Sequence, residues 1–128
     1  MSVDDLSLEH QNAFVMAFII SERRERYMSK LKGAKHRPGF LDRLNHRLLA
    51  DLDERYIVED PQLHDPLAAT SCYIIADQNQ FDGKLVTPTI AQDFLDAARF
   101  GIVVSYIPGK LVAYKDESPS EVVWLERC

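Results

Sequence analysis

Apolar residues recur at helical spacing in two stretches of the N-terminal half. The first spans about residues 7–31 and stops before Gly33. The second spans about residues 38–55 and begins at Pro38, whose missing N–H group is not needed at the start of a helix. Because the connection between them is short, the pattern predicts two antiparallel neighbours, an αα-hairpin over about residues 7–55.

The C-terminal half consists of short apolar runs separated by turn residues, as is typical of strands. A third helix begins at Thr87 or Thr89 and ends at Gly101, and Pro108-Gly109 supplies the central residues of a type II turn. The predicted strands cover residues 71–77, 102–107, 111–115 and 122–125, with shorter ones at 56–58 and 84–86.

Together these elements predict a single α+β domain over residues 1–128. Its N-terminal αα-hairpin and one further helix pack on a largely antiparallel sheet of about four to five strands. The sheet half is a β-α-β-β-β unit over about residues 71–128.

Composition narrows the class of protein. The chain is 46% hydrophobic and 27% charged, which is ordinary for a globular domain and argues against wholesale disorder. Its longest apolar run, residues 13–20, is far too short to span a membrane. Two cysteines are too few for a disulfide framework, and the acidic start lacks the positive segment of a signal peptide. These features predict a cytoplasmic protein without membrane contact.

Charge is distributed very unevenly along the chain. Residues 23–47 hold nine lysines and arginines against two acids, although the whole chain has a net charge of −5. An αα-hairpin would gather these cations at one end, where they could hold phosphate, nucleic acid or an acidic protein surface. The candidate binding residues are Arg26, Lys30, Lys35, Arg37, Arg43 and Arg47.

Two other interpretations of the basic stretch stay open. The arginines can instead pair with carboxylates of the C-terminal half inside the fold. A nucleic-acid site would need exposed aromatic rings for base stacking, and the aromatic residues at hand, Tyr27 and Phe40, are better explained as core.

Catalytic and metal chemistry have weaker candidates. Asp42 and His46 stand four residues apart on the second predicted helix, so the carboxylate could orient the imidazole. The sequence has no HExxH, CxxC or GxSxG motif and no Gly-rich phosphate loop, so no metal or cofactor is expected. Cys72 lies in an apolar run and is interpreted as a buried structural thiol.

A homodimer is a further possibility. The strand at 122–125 could expose an edge, and the first helix carries the surplus apolar residues Val15, Ile19 and Ile20. These residues could equally pack beneath the second helix and the sheet. The acidic turn at 116–121 could also face a basic partner.

The sequence thus favours a non-enzymatic binding or regulatory module that uses a basic helical hairpin to hold an acidic partner. One alternative is a small enzyme centred on His46 and Asp42 that acts on an anionic or phosphorylated substrate. A second alternative is a nucleic-acid binder.

Overall fold

The fold is seen in a computed structural model that describes residues 3–117 and 121–128. Short 3₁₀ helices cover Glu54–Tyr56 and Pro66–Ala68. The α-helices are α1 (Val3–Phe18), α2 (Ser21–Lys32), α3 (Arg37–Phe40), α4 (Arg43–His46), α5 (Leu48–Asp51) and α6 (Pro88–Ala97). The strands are β1 (Ile57–Val58), β2 (Cys72–Ala76), β3 (Leu85–Val86), β4 (Ile102–Ile107), β5 (Leu111–Lys115) and β6 (Val123–Glu126).

The strands form one antiparallel sheet in the order β1-β6-β5-β4-β2-β3. The predicted α+β class is therefore confirmed. The sheet has six strands rather than four to five, because the two-residue segments β1 and β3 pair at its opposite edges. Gly109, with φ of 72°, occupies the left-handed position of the β4–β5 turn that the Pro-Gly pair predicts.

Both faces of the sheet are covered. Tyr73, Val103 and Tyr114 point to one face and pack with α1 to α5, whereas Ile74 and Val104 point to the other and pack beneath α6. Since side chains alternate along a strand, burial of both faces explains why the central strands are solid apolar runs rather than alternating ones.

The first predicted helix is not continuous. It is interrupted after Phe18, and α1 and α2 take its place. Ile19 pairs as an isolated antiparallel bridge with Leu52. The backbone N–H of Ile20 donates to Asp51 at 2.9 Å, and the Phe18 carbonyl accepts from Asp53 at 2.7 Å. A segment far along the chain thus satisfies the backbone groups at the break, which a local pattern does not reveal.

The second predicted helix is also wrong as a continuous rod, because α3, α4 and α5 are separate single turns. Asn45 explains part of this, since its side chain bonds the backbone N–H of Gly101 and the carboxylate of Asp77, each at 2.6 Å. Gly101 lies so close that an added Cβ would fall 2.2 Å from the Leu44 carbonyl carbon. Only glycine permits this contact between the helical layer and the sheet.

The surfaces that the sequence suggested for a homodimer are mostly covered within this chain, although Ile20 is only half-buried. Strand β6 is not an edge, because β1 pairs along its outer side. Val15 and Ile19 are fully buried in the core, as the packing alternative predicts. The acidic turn lies partly outside the described residues, since residues 118–120 are not among them.

Candidate functional site

The predicted basic residues fall into two groups. Arg37 and Arg43 are half-buried and form ion pairs inside the fold; we call them the inner arginines. The other four lie at the surface, and none forms an ion pair with another described residue. We call these four the outer cations: Arg26, Lys30, Lys35 and Arg47.

Arg37 is the centre of a polar cluster beneath α1. Its Nε and Nη2 donate to the two carboxylate oxygens of Asp82, each at 2.7 Å. Nη1 donates to the Leu31 carbonyl at 3.0 Å and to Oε1 of Gln11, and Nη2 also donates to the Tyr73 hydroxyl at 3.2 Å. The guanidinium has five N–H groups, so these contacts use all of them. Arg37 has no donor left for a ligand.

Arg43 belongs to a second cluster, around the carboxylate of Asp51. Its Nη2 donates to Asp51 at 2.9 Å, and its guanidinium lies over the rings of Tyr27 and Phe40. The Tyr27 hydroxyl donates to the same carboxylate oxygen at 2.6 Å, and Arg23 approaches to 3.8 Å. Burial alone would raise the pKa of Asp51, but the bonds from Tyr27 and Arg43 hold that pKa below its usual value.

Both clusters hold the helical layer in place. Arg37 ties the α2–α3 loop to the β2–β3 turn through Asp82, whose Oδ1 also accepts the Ala76 N–H at 3.1 Å. Arg43 ties α4 to α5 and α2 through Asp51 and Tyr27. The inner arginines therefore act as positioning groups rather than as exposed binding groups.

The outer cations are held mainly by helix α2 and the loop that follows it. Arg26 and Lys30 are one helical turn apart, so they share a face, and Tyr27 on the neighbouring face anchors the helix in the core. Lys30 and Lys32 lie in the last turn, where the helix dipole favours cations. This face also carries the exposed acid Glu22, yet α2 as a whole keeps a positive surplus.

Asp42 and His46 are not brought together. Both are exposed, and Asp42 accepts a hydrogen bond from the Asn45 side chain at 3.2 Å rather than from His46. Four surface cavities have volumes of about 330 to 580 Å³, and neither residue lines any of the four. No geometry in this region supports a cleft for catalysis.

A serine–histidine pair is present that sequence reasoning missed. His10 Nδ1 lies 2.7 Å from Ser105 Oγ, although the residues are 95 positions apart. Both are almost completely buried, so a substrate cannot reach the hydroxyl. Burial lowers the pKa of His10, which favours the neutral imidazole. The pair links α1 to β4 and has no nucleophilic arrangement open to solvent.

Other chemistry is equally limited. Cys72 is buried, and its burial raises the thiol pKa to about 12, so it is not a reactive thiolate. Within residues 3–117 and 121–128, no three His, Cys, Asp or Glu side chains stand close enough together to hold a metal ion. The helices of this part of the chain are all too short or too polar to cross a bilayer.

A cavity of about 350 Å³ adjoins the Arg37 cluster, and sequence reasoning missed it as well. We call it the Gln11 cavity, because Gln11 is the buried polar residue on its wall whose side chain is not fully bonded. No local signal marks Gln11, since its partners Arg37 and Tyr73 are 26 and 62 positions away. Its lining residues include Leu8, Gln11, Leu31, Lys32, Ala34, Arg37 and Tyr73.

No family model, curated protein or solved structure matches this chain.

Proposed function

We propose that this chain is a non-enzymatic binding module that holds an acidic protein partner through the outer cations. The observation that supports it is that the inner arginines form ion pairs and the outer cations do not. Arg37 and Arg43 are neutralised by Asp82 and Asp51. Of the four outer cations, Lys30 is partly exposed and the other three are exposed, and none forms an ion pair with a described carboxylate.

An acidic surface is the natural ligand for such groups. Exposed lysine and arginine side chains attract carboxylates over about 8 to 10 Å at physiological salt, which speeds association more than it strengthens the final complex. The eight exposed acids among the described residues of 48–128 repel acidic partners from the rest of the surface. The combination directs an acidic partner towards α2 and its loop.

A protein ligand is favoured over nucleic acid for two reasons. Tyr27 and Phe40 are buried and contact each other edge to face at 4.9 Å between ring centroids, so neither can stack on a base. The net charge of −5 also opposes binding of a long polyanion. We place this module in a reducing cytoplasm, consistent with the free thiols Cys72 and Cys128.

The test is affinity capture from an extract of the cells that produce the protein, with two charge-reversed variants of equal charge change. One is Lys30→Glu/Lys35→Glu, at the outer cations. The matched control is Lys84→Glu/Lys110→Glu, whose lysines are exposed in the β2–β3 and β4–β5 turns. The proposal expects captured proteins that are retained by wild type and control and lost with the first variant.

Two results would overturn the proposal. Equal capture by all three proteins would show that the outer cations do not select a partner. Loss of all capture after nuclease treatment of the extract would instead favour the nucleic-acid alternative, as would a log-linear fall of affinity with salt for a defined oligonucleotide.

A further inference from the structure

We infer that the Gln11 cavity receives one carboxylate side chain, an aspartate or glutamate, from the acidic protein that the outer cations hold. The inference rests on the proposed function, because the cavity alone would bind a single side chain too weakly to select a partner. It adds where the partner's acidic residue is recognised and which residues recognise it.

The orientation of the Gln11 side chain is the first step. Arg37 donates to Oε1 of Gln11, and the Tyr73 hydroxyl lies 3.3 Å from the same oxygen. A guanidinium can only donate hydrogen bonds, so the atom facing it must be the amide oxygen. The NH₂ end is thereby turned away from Arg37, and it has no hydrogen-bond partner among the described residues.

The Gln11 side chain places its open donors at the cavity wall. Gln11 is only 5% exposed and lines the cavity, and its Nε2 is not one of the fully buried atoms that lack a hydrogen-bond partner, so this group is open to solvent. A carboxylate that replaces this solvent would accept a charge-assisted hydrogen bond, which is roughly twice as strong as a neutral one. Arg37 is the positioning residue, because its bond fixes which end of Gln11 faces the cavity.

The other lining residues specify the acceptor. Lys32 lines the cavity and is exposed, which adds an ammonium group to its lining. Asp4 also lines it and is exposed like Lys32, so solvent screens both charges, and Lys35, which follows the lining residue Ala34, supplies the positive surplus. Amide and ammonium donors together match a carboxylate, which accepts hydrogen bonds and carries the complementary charge.

Apolar walls complete the site. Leu31, Ala34 and the ring of Tyr73 line the cavity, and Leu8 at its rim is 45% exposed. These surfaces fit the methylene groups of an acidic side chain and an apolar neighbour beside it. The expected recognition element is therefore an acidic residue next to an apolar one in an accessible segment of the partner.

The cavity lies next to the proposed binding surface. Lys32 and Ala34 belong to the end of α2 and the loop after it, and Lys35 follows directly. A partner held by Lys30 and Lys35 would pass over the mouth of the cavity.

The experiment uses the full chain and two labelled peptides as defined probes. The first contains glutamate, leucine and serine, and the second has glutamine at every glutamate. Titration of the ¹⁵N-labelled protein should shift the side-chain NH₂ resonances of Gln11 and the backbone amides of Lys32 and Ala34. The glutamine peptide should shift none of these.

Two variants sharpen the result. Gln11→Glu keeps an oxygen for Arg37 and Tyr73 but replaces the open NH₂ donors with a carboxylate oxygen. We expect it to fold and to bind the glutamate peptide at least about tenfold more weakly, measured by fluorescence anisotropy. Ala34→Leu fills the cavity from an exposed position and should weaken binding similarly.

The possible failures are distinguishable. If Lys30→Glu/Lys35→Glu weakens peptide binding while Gln11→Glu and Ala34→Leu do not, the outer cations bind acid but the cavity does not receive it. If none of these variants weakens binding, the proposed function fails as well. Absence of peptide binding, or binding of wild type that leaves the Gln11 NH₂ resonances unchanged, overturns the inference without any variant.

Discussion

The inner arginines and the outer cations come from the same 25-residue basic stretch, yet the fold treats them in opposite ways. Arg37 uses all its donors inside the protein, and Arg43 shares Asp51 with Tyr27. Lys30 and Lys35 contact no described carboxylate. The difference teaches that a basic run is not one functional unit. Some of its charges fasten the helical layer, and the remainder are available for binding.

Side-chain chemistry accounts for part of this division. Both inner groups are arginines, whose planar forks can bond a carboxylate, a carbonyl and an aromatic hydroxyl together. Arg37 does this with Asp82, Leu31 and Tyr73. Lysine offers a compact, strongly hydrated charge, which is easier to keep in solvent.

The largest expected effect comes from Arg37→Ala, which breaks the inner cluster and leaves the Asp82 carboxylate half-buried without its counter-ion. We expect the free energy of unfolding to fall by about 3 kcal/mol, measured by urea denaturation. The matched control is Arg26→Ala, which removes the same side chain from the outer face and should change stability by less than about 0.5 kcal/mol. Equal losses of unfolding free energy in the two variants would contradict the distinction between inner arginines and outer cations.

Asp51→Asn should have the next largest effect, about 2 kcal/mol, because the amide oxygen can still accept from Tyr27 and Arg43 but no longer carries the charge that strengthens both bonds and attracts Arg23. The change also alters how the free energy of unfolding depends on pH. The folded-state pKa of Asp51 is lowered, so its contribution to stability is present above about pH 4 and is lost as the pH falls through the folded value.

Denaturation curves at neutral and acidic pH check this second prediction. The wild type should lose more stability on acidification than Asp51→Asn does. An equal loss in both proteins would mean that Asp51 does not titrate with folding, and Glu126, whose pKa is also lowered, would be the carboxylate to test next.

Tyr27→Phe should cost about 1 kcal/mol, since it removes one hydrogen bond to Asp51 and keeps the buried ring. The Asp51 carboxylate would keep Arg43 but lose a donor, so its pKa should rise towards the usual value. The loss of unfolding free energy on acidification would then begin at a higher pH. A Tyr27→Phe protein in which this loss begins at an unchanged pH would show that the hydroxyl has no influence on Asp51.

The smallest effect is expected for Arg26→Ala/Lys30→Ala, which should leave the free energy of unfolding within about 0.5 kcal/mol of wild type because neither side chain is buried or ion-paired among the described residues. Thermal melting compared with the single variant Arg37→Ala checks it. A loss above about 1 kcal/mol would place these outer cations in the stabilising network and weaken the binding proposal.

Local patterns predicted much of the architecture. Strands β4 and β5 begin and end as predicted, because Pro108-Gly109 and the apolar runs around it are short-range signals. The helical rods were wrong where remote segments intervene: Leu52 pairs with Ile19, and Gly101 approaches Leu44. Asp42 and His46 do keep a helical spacing, at the N-cap and the end of α4, but the Asp42 carboxylate accepts from Asn45 instead.

The sequence by itself determined the α+β class, the strand positions, the buried Cys72 and the concentration of cations before residue 48, because periodicity, turn chemistry and charge are properties of neighbouring residues. Only the tertiary structure decided which cations are neutralised and which way the Gln11 amide points. Arg37 meets Asp82 across 45 positions and Gln11 across 26. Such partners are chosen by how the helical layer packs on the sheet, and no local pattern carries that information.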